Sequence, residues 1–138
     1  MWYGSNLNWG PQISDMDHVI KVAGSKDGIL FEREGRIAIP IQKSREFAVA
    51  RPWVIKEKGF YRMWYSRRGP FYRLGYAESK DGIHWKRMDP EAGLGVSKSG
   101  WDSESVCYAS LFTYQRRNYM LYNGNGFGRT GFGLAVCT

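Results

Sequence analysis

The residues that could carry chemistry in this chain lie at the ends of predicted strands and in one loop. Three acids, Glu46, Asp102 and Glu104, come directly before or at the start of predicted strands. Such a carboxyl group is either an ordinary loop acid or one that can give or take a proton. Arg51 lies inside a predicted inner strand, where a charge needs a partner or a water-filled channel. We therefore expect Arg51 to line a channel.

A glycine-rich loop at 123–128 supplies two further polar candidates, Asn123 and Asn125. Its glycines do not have the Gly-x-Gly-x-x-Gly spacing of a dinucleotide site, and no helix pattern follows to receive a phosphate. A tight connection between strands that needs positive φ explains the glycines. The asparagines remain candidate ligand donors, because loops carry many binding sites.

Asp17 and His18 are the one adjacent acid–imidazole pair in the chain. Such a pair can transfer a proton, but the sequence offers no nucleophile for it to serve. We interpret it as a pair at the end of a loop.

The elements that would position these residues form an internal repeat. The pattern Ser-Lys-Asp-Gly-Ile-x-aromatic occurs at 25–31 and again at 79–85. Asp-Gly between two β-prone runs predicts a hairpin with a type I′ turn. A hairpin signal that recurs after about 50 residues is typical of a propeller or an array.

The complete repeat unit reads as four strands, at 48–56, 60–67, 71–78 and 83–88. A first copy begins inside its second strand (1–5, 18–24 and 29–34), and a third stops after its third strand. The prediction is an all-β fold with ten antiparallel strands in one domain, 1–138. It consists of one complete four-stranded blade (46–89) between two incomplete ones (1–35 and 102–138). In the repeat alignment, Arg51 and Tyr108 occupy equivalent positions.

Composition narrows the functional classes. The net charge of +7 with 16% aromatic residues permits nucleic-acid binding. However, the basic residues, Arg68 and Arg87 among them, are scattered, mostly as pairs at strand ends and turns, as on the solvated edges of a β-protein. No apolar run is long enough for a membrane-spanning helix. Cys107 and Cys137 fall on different predicted strands and are interpreted as free thiols, which favours a reducing, cytoplasmic location.

Five segments follow one another along the chain: RPWVI at 51–55, YRMWYS at 61–66, GYAESKDGIHW at 75–85, WDS at 101–103 and NGNG at 123–126. In this order they resemble the five-bladed β-propeller glycosidases of glycoside hydrolase families 32, 43, 68 and 130. The similarity is greatest to glycosidase-like bacterial proteins encoded beside surface-polysaccharide genes. The resemblance covers the whole chain but implies only the C-terminal half of such a propeller. The sequence of the turn at 79–85 is also similar to the Asp-box of sialidases. We interpret this similarity as the same type of hairpin turn and not as evidence for sialidase activity.

The resemblance implies that acids from three blades meet at the mouth of a central channel, with two carboxyl groups flanking a glycosidic bond. On this basis Glu104 corresponds to the general acid, and Asp102 and Glu46 are the other catalytic candidates. Arg51 corresponds to the arginine of an Arg-Asp-Pro motif, although Pro52 follows it directly and the aspartate is missing. The implied substrate-binding residues are Arg51, Tyr108, Asn123 and Asn125. No metal or cofactor is expected.

Three functions follow from these patterns. The first is a glycosidase-like protein that binds or hydrolyses a glycan at the centre of a propeller, incomplete as a single chain. The alternative is a non-catalytic binding or assembly module, and a polyanion or nucleic-acid binder comes third. Open terminal blades leave strand edges and apolar faces uncovered, so we also expect a homodimer or a larger assembly.

Overall fold

The computed structural model describes residues 1–136 and consists almost wholly of β-strands. Two single 3-10 turns, Ile13–Asp15 and Asp89–Glu91, and a short helical turn α1, Asn125–Gly128, complete the regular structure. The ten strands are β1 (Trp2–Asn6), β2 (His18–Val22), β3 (Ile37–Ile39), β4 (Ala48–Glu57), β5 (Phe60–Arg68), β6 (Tyr72–Ser79), β7 (Lys86–Arg87), β8 (Cys107–Tyr114), β9 (Arg117–Asn123) and β10 (Phe132–Val136).

The strands form three antiparallel groups that follow one another along the chain. β1–β3 make the first, β4–β7 the second, and β8–β10 a separate three-stranded sheet. In the sheet, the first two groups are connected by one parallel pairing, between His18 and Ala48. The fold is a partial β-propeller, and the predicted all-β class is confirmed.

The predicted strand at 29–34 is wrong. An isolated bridge between Gly24 and Glu32 is the only β-pairing there, and β3 pairs with β2 instead. Burial explains the choice, because Ala38 and Ile39 in β3 reach the core. The fourth strand of the complete blade, predicted at 83–88, is reduced to β7.

The Asp-Gly turns are real, but they are not type I′. In the second copy only Gly82 has a positive φ, 75°, whereas a type I′ turn needs two such residues. Side chains fix the turn: Asp81 Oδ1 accepts the N–H groups of Ile83 and His84, both at 2.8 Å, and Ser79 Oγ accepts that of Gly82 at 2.8 Å. The first copy repeats these bonds at 25–30.

The second turn also links two blades. The Trp2 indole donates to the Gly82 carbonyl at 2.8 Å, and the Trp85 indole donates to the same oxygen at 3.0 Å. The two indoles meet edge to face, with ring centroids 5.8 Å apart. The matching turn at 25–30 is exposed and carries no such cover.

The core lies on both faces of the complete blade, because successive side chains of a strand point to opposite sides. Met63 and Tyr65 of β5 pack toward the first blade, and Trp64 between them packs toward the third. One cluster contains Ile20, Ala38, Ile39, Val49, Met63, Tyr65 and Ala77; the other contains Leu74, Tyr76, Ala92, Val106, Ala109, Leu111 and Tyr122.

Cys107 lies in the core, where burial raises the pKa of its thiol to about 11. It forms no disulfide within the described residues, and Cys137 lies outside them. No helix among residues 1–136 has the length and apolarity needed to cross a membrane.

Candidate functional site

Two matching β-bulges interrupt the first strands of the second and third blades. The β4–β5 register shifts between Ala50 and Trp53, and the β8–β9 register shifts between Cys107 and Ser110. Inside these bulges Arg51 and Tyr108 both adopt left-handed backbone conformations, with φ of 54° and 59°. The two blades thus repeat a strained conformation at the positions that the repeat alignment makes equivalent. Bulges often turn a side chain toward a functional site.

The two bulges bring Arg51 and Tyr108 together. The guanidinium carbon of Arg51 lies 5.1 Å from the centre of the Tyr108 ring, a cation–π distance. The Tyr108 N–H donates to the buried Ser66 hydroxyl at 2.8 Å, which fixes the bulge against β5. Burial, and then a hydrogen bond with Tyr72, raise the pKa of the Tyr108 phenol, which is therefore protonated at neutral pH.

A third strained residue reaches the same place from the glycine-rich loop. Phe127 in α1 has a φ of 64°, and its ring lies 5.4 Å from that of Tyr72 and 6.4 Å from that of Tyr108, between centroids. The side-chain amide of Asn123 donates to the Phe127 carbonyl at 3.1 Å and holds the turn. Phe127 remains 52% exposed.

Arg68 adds a second guanidinium. Its guanidinium carbon lies 5.2 to 5.4 Å from the ring centres of Phe47, Tyr72 and Phe127. Within the described residues, neither Arg51 nor Arg68 has a salt bridge or a side-chain hydrogen bond. Aromatic faces beside free guanidinium donors can hold the apolar face and the oxygens of a polar ligand. We call the following residues the central cluster: Arg51, Arg68, Tyr72, Tyr108 and Phe127.

Glu104 is placed next to the central cluster by its backbone. Its N–H donates to Asn125 Oδ1 at 2.8 Å, and its carbonyl accepts from Arg73 at 2.6 Å. Asn125 belongs to the same turn as Phe127, and Arg73 follows Tyr72. The residue is exposed, and no other described residue forms a hydrogen bond or ion pair with its carboxylate.

The two predicted asparagine donors are engaged inside the protein. Asn125 Oδ1 accepts the N–H groups of Glu104 and Ser105, at 2.8 and 2.9 Å, and its amide donates to the Gly100 carbonyl at 3.2 Å. Together with Asn123, it therefore shapes the loops around the central cluster. The geometry favours this positioning role over direct contact with a ligand.

Asp102 is buried and accepts a hydrogen bond from the Tyr122 hydroxyl at 3.1 Å. The Tyr122 ring stacks on that of Trp101, with centroids 5.6 Å apart. Asp102 therefore connects the loop before β8 to β9 of the third blade. Its burial and its partner favour a structural role.

Glu46 is also buried, in a network with residues of the complete blade and the turn that follows it. Its carboxylate accepts two hydrogen bonds from Arg87, at 2.6 and 3.1 Å, and one from the Gln42 N–H at 3.0 Å. Arg87 also donates to Asp89 at 2.7 Å, and the Tyr65 hydroxyl donates to the same carboxylate. We call Glu46, Tyr65, Arg87 and Asp89 the buried network. The interpretation of Arg87 as a solvated edge residue was wrong.

Sequence reasoning missed Phe47, Arg68, Tyr72 and Phe127. Arg68 was counted among scattered edge charges, since nothing local showed the three rings beneath it. The glycine-rich loop around Phe127 was the one available signal. Among residues 1–136, no group of three histidine, cysteine or acidic side chains is arranged to hold a metal ion.

Two curated proteins of Mycobacterium tuberculosis are similar to this chain. Uncharacterized protein Rv1502 of strain H37Rv and uncharacterized protein MT1551 of strain CDC 1551 are each 44% identical to it over 136 residues. The alignments cover 99% of this chain and 46% of each relative, so the chain spans about half the length of the curated relatives it matches. No family model matches the chain.

Solved structures of glycoside hydrolases share the fold. A family 32 β-fructofuranosidase from Bombyx mori, BmSUC1, superposes with a TM-score of 0.71 at 17% identity, covering 98% of this chain and 30% of that protein. Zg3597, a family 117 glycoside hydrolase from Zobellia galactanivorans, gives a TM-score of 0.72 at 23% identity, covering 88% and 38%. The fold-level resemblance to propeller glycosidases is confirmed, and the chain forms part of a β-propeller of the type found in these glycoside hydrolases.

Proposed function

We propose that this chain supplies part of a glycan-binding centre, formed by the central cluster. One observation carries the proposal: three non-glycine residues with left-handed backbones, Arg51, Tyr108 and Phe127, converge from three separate elements. Such conformations cost on the order of 1–3 kcal/mol each and persist where the surrounding structure enforces them, often at functional sites.

The chemistry of the central cluster suits a sugar. Phe127 and Tyr72 offer exposed or half-buried aromatic faces against which the C–H face of a sugar ring can pack. Each guanidinium of Arg51 and Arg68 carries five N–H donors for ring oxygens, hydroxyls or carboxylates. The glycoside hydrolase fold supports the choice of a glycan over other polar ligands.

Hydrolysis is the second part of the proposal, with Glu104 as the general acid. Glycoside hydrolysis requires two carboxyl groups across the scissile bond. Glu46 and Asp102 are occupied by Arg87 and Tyr122, so the second carboxyl comes from outside this chain, either from a second copy or from further sequence like that of the longer relatives. Without it, the same surface is a non-catalytic glycan-binding module, which is the second candidate function.

Glycan binding is tested with Phe127→Ala on a glycan array, followed by titration calorimetry of the best ligand. We expect at least about tenfold weaker binding, because about 1.4 kcal/mol of contact is lost. Phe60→Ala is the matched control: Phe60 is also partly exposed, but it lies at the opposite end of β5 from Arg68. Equal losses in both variants, or none in Phe127→Ala, would contradict the proposal.

Hydrolysis is tested separately with Glu104→Gln on a panel of nitrophenyl glycosides. Turnover should be abolished, whereas the affinity for the glycan should remain within about threefold, because the amide preserves the size of the side chain. Unchanged turnover would exclude Glu104 as the acid. Absence of turnover in the unmodified chain, with binding intact, would select the non-catalytic module.

A further inference from the structure

The third blade presents an uncovered apolar face. Five apolar side chains on one side of β8, β9 and β10 are exposed, among them Phe132 and Leu134 at 74% and 56%. The opposite side of the same sheet, with Ala109, Leu111 and Tyr122, is packed against the complete blade. We call the uncovered set the outer face: Phe112, Leu121, Phe132, Leu134 and Val136.

The internal repeat identifies what such a face contacts. Leu121 pairs across strands with Leu134, as Trp64 pairs with Tyr76 in the complete blade. Phe132 therefore occupies the position of Leu74. Phe112 occupies the position of Ile55, because Phe112 pairs with Tyr119 as Ile55 pairs with Arg62. In the complete blade, these positions pack against the following blade, and Leu74 and Tyr76 are only 3% and 6% exposed.

In both contacts between successive blades, a face of this kind packs against the side of the next blade that points back toward it. We call this the rear side of a blade, and it is built around a tyrosine of the blade's second strand. Tyr65 fills this position in the complete blade and Tyr122 in the third. In the first blade the equivalent residue is the half-buried Tyr3. Met1, two residues before it and therefore on the same side of the strand, is 49% exposed. Tyr3 pairs with Lys21, whereas Tyr65 and Tyr122 pair with glycines, so a lysine stem lines this third rear side.

We propose that the outer face packs against the rear side of the first blade in a second copy of this chain. The contact is head to tail, and two such contacts related by a two-fold axis close a ring. Self-association of this kind also brings a second Glu104 into the assembly. The proposal stands on the repeat and on exposure, and it is independent of any glycan.

The test is the molar mass in solution by light scattering at tens of micromolar. The unmodified chain should have twice its mass of 15.9 kDa, and Leu134→Glu should have the single mass. Phe60→Glu is the control, since it adds the same charge at a partly exposed apolar residue outside the outer face. Circular dichroism should be unchanged in both variants, because neither side chain is buried.

The head-to-tail arrangement makes a sharper prediction. Tyr3→Glu should also give single mass, and mixing it with Leu134→Glu should restore doubled mass, because one intact contact remains in the mixed pair. A single mass for the unmodified chain, or doubled mass for Leu134→Glu, would overturn the proposal. A doubled mass for Tyr3→Glu would contradict the assignment of the first blade as the surface that the outer face contacts.

Discussion

The arginines of the buried network and of the central cluster differ in the partners that their guanidinium groups contact. In the buried network, Arg87 is paired with Glu46 and Asp89 and its side chain is 11% exposed. In the central cluster, Arg51 and Arg68 lie over aromatic rings, and no carboxylate among residues 1–136 pairs with them.

This difference distinguishes a structural arginine from the two arginines that we propose bind a ligand. A buried charge must be paired, because its desolvation penalty is otherwise uncompensated. Arginines that rest on aromatic faces at the surface keep their donors available to a ligand. Glu46 is therefore a structural residue, and Arg51 is a residue of the proposed site.

The largest effect is expected from Arg87→Met. The substitution removes the cation beside Glu46 and the nearer of the two arginines beside Asp89, the other being Arg67 at 3.8 Å. It should lower the free energy of unfolding by about 3–5 kcal/mol. Urea denaturation followed by tryptophan fluorescence measures it. Arg36→Met is the matched control, since its exposed pair with Glu34 contributes at most about 1 kcal/mol. Equal losses for the two variants would mean that the network is not a structural element.

A smaller effect is expected from Tyr65→Phe, which removes one donor to Asp89 and keeps the ring in the core. The loss should be about 1–3 kcal/mol, as for a buried acceptor left short of a partner. Tyr61→Phe provides the comparison, because the Tyr61 hydroxyl has no hydrogen bond to another described residue. If both substitutions are neutral in the same denaturation assay, the hydroxyl of Tyr65 contributes nothing to the network.

The smallest effect on stability is expected at the central cluster. Arg51→Gln and Arg68→Gln should change the free energy of unfolding by less than about 1 kcal/mol, because no ion pair is lost. Each should nevertheless weaken glycan binding severalfold in calorimetry. A variant that loses stability as Arg87→Met does, with binding preserved, would reverse the comparison.

Sequence patterns predicted the parts of this molecule that are encoded locally. The strand patterns predicted most of the strands that the structure contains. The repeat alignment made Arg51 and Tyr108 equivalent, and the structure shows both in matching bulges. The prediction of a strand at 29–34 was wrong because the segment that contains Ala38 and Ile39 reaches the core and therefore pairs with β2 in its place.

The site was harder to predict because its contacts join distant segments. Glu46 accepts a hydrogen bond from Arg87, which lies 41 residues away in the sequence, and the guanidinium of Arg68 lies over the ring of Phe127 in another blade. Neither partner is marked by a motif. Acids before strands looked alike in the sequence, and only burial and pairing distinguish Glu46 and Asp102 from the exposed Glu104.

The most direct test of the glycan-binding centre is amide NMR of the isotope-labelled chain during titration with a glycan selected on the array. We expect chemical-shift changes concentrated at Arg51, Arg68, Tyr72, Tyr108 and the 123–128 loop, with the buried network unaffected. Saturable shifts elsewhere, with these residues unchanged, would contradict the assignment of the central cluster as the glycan site.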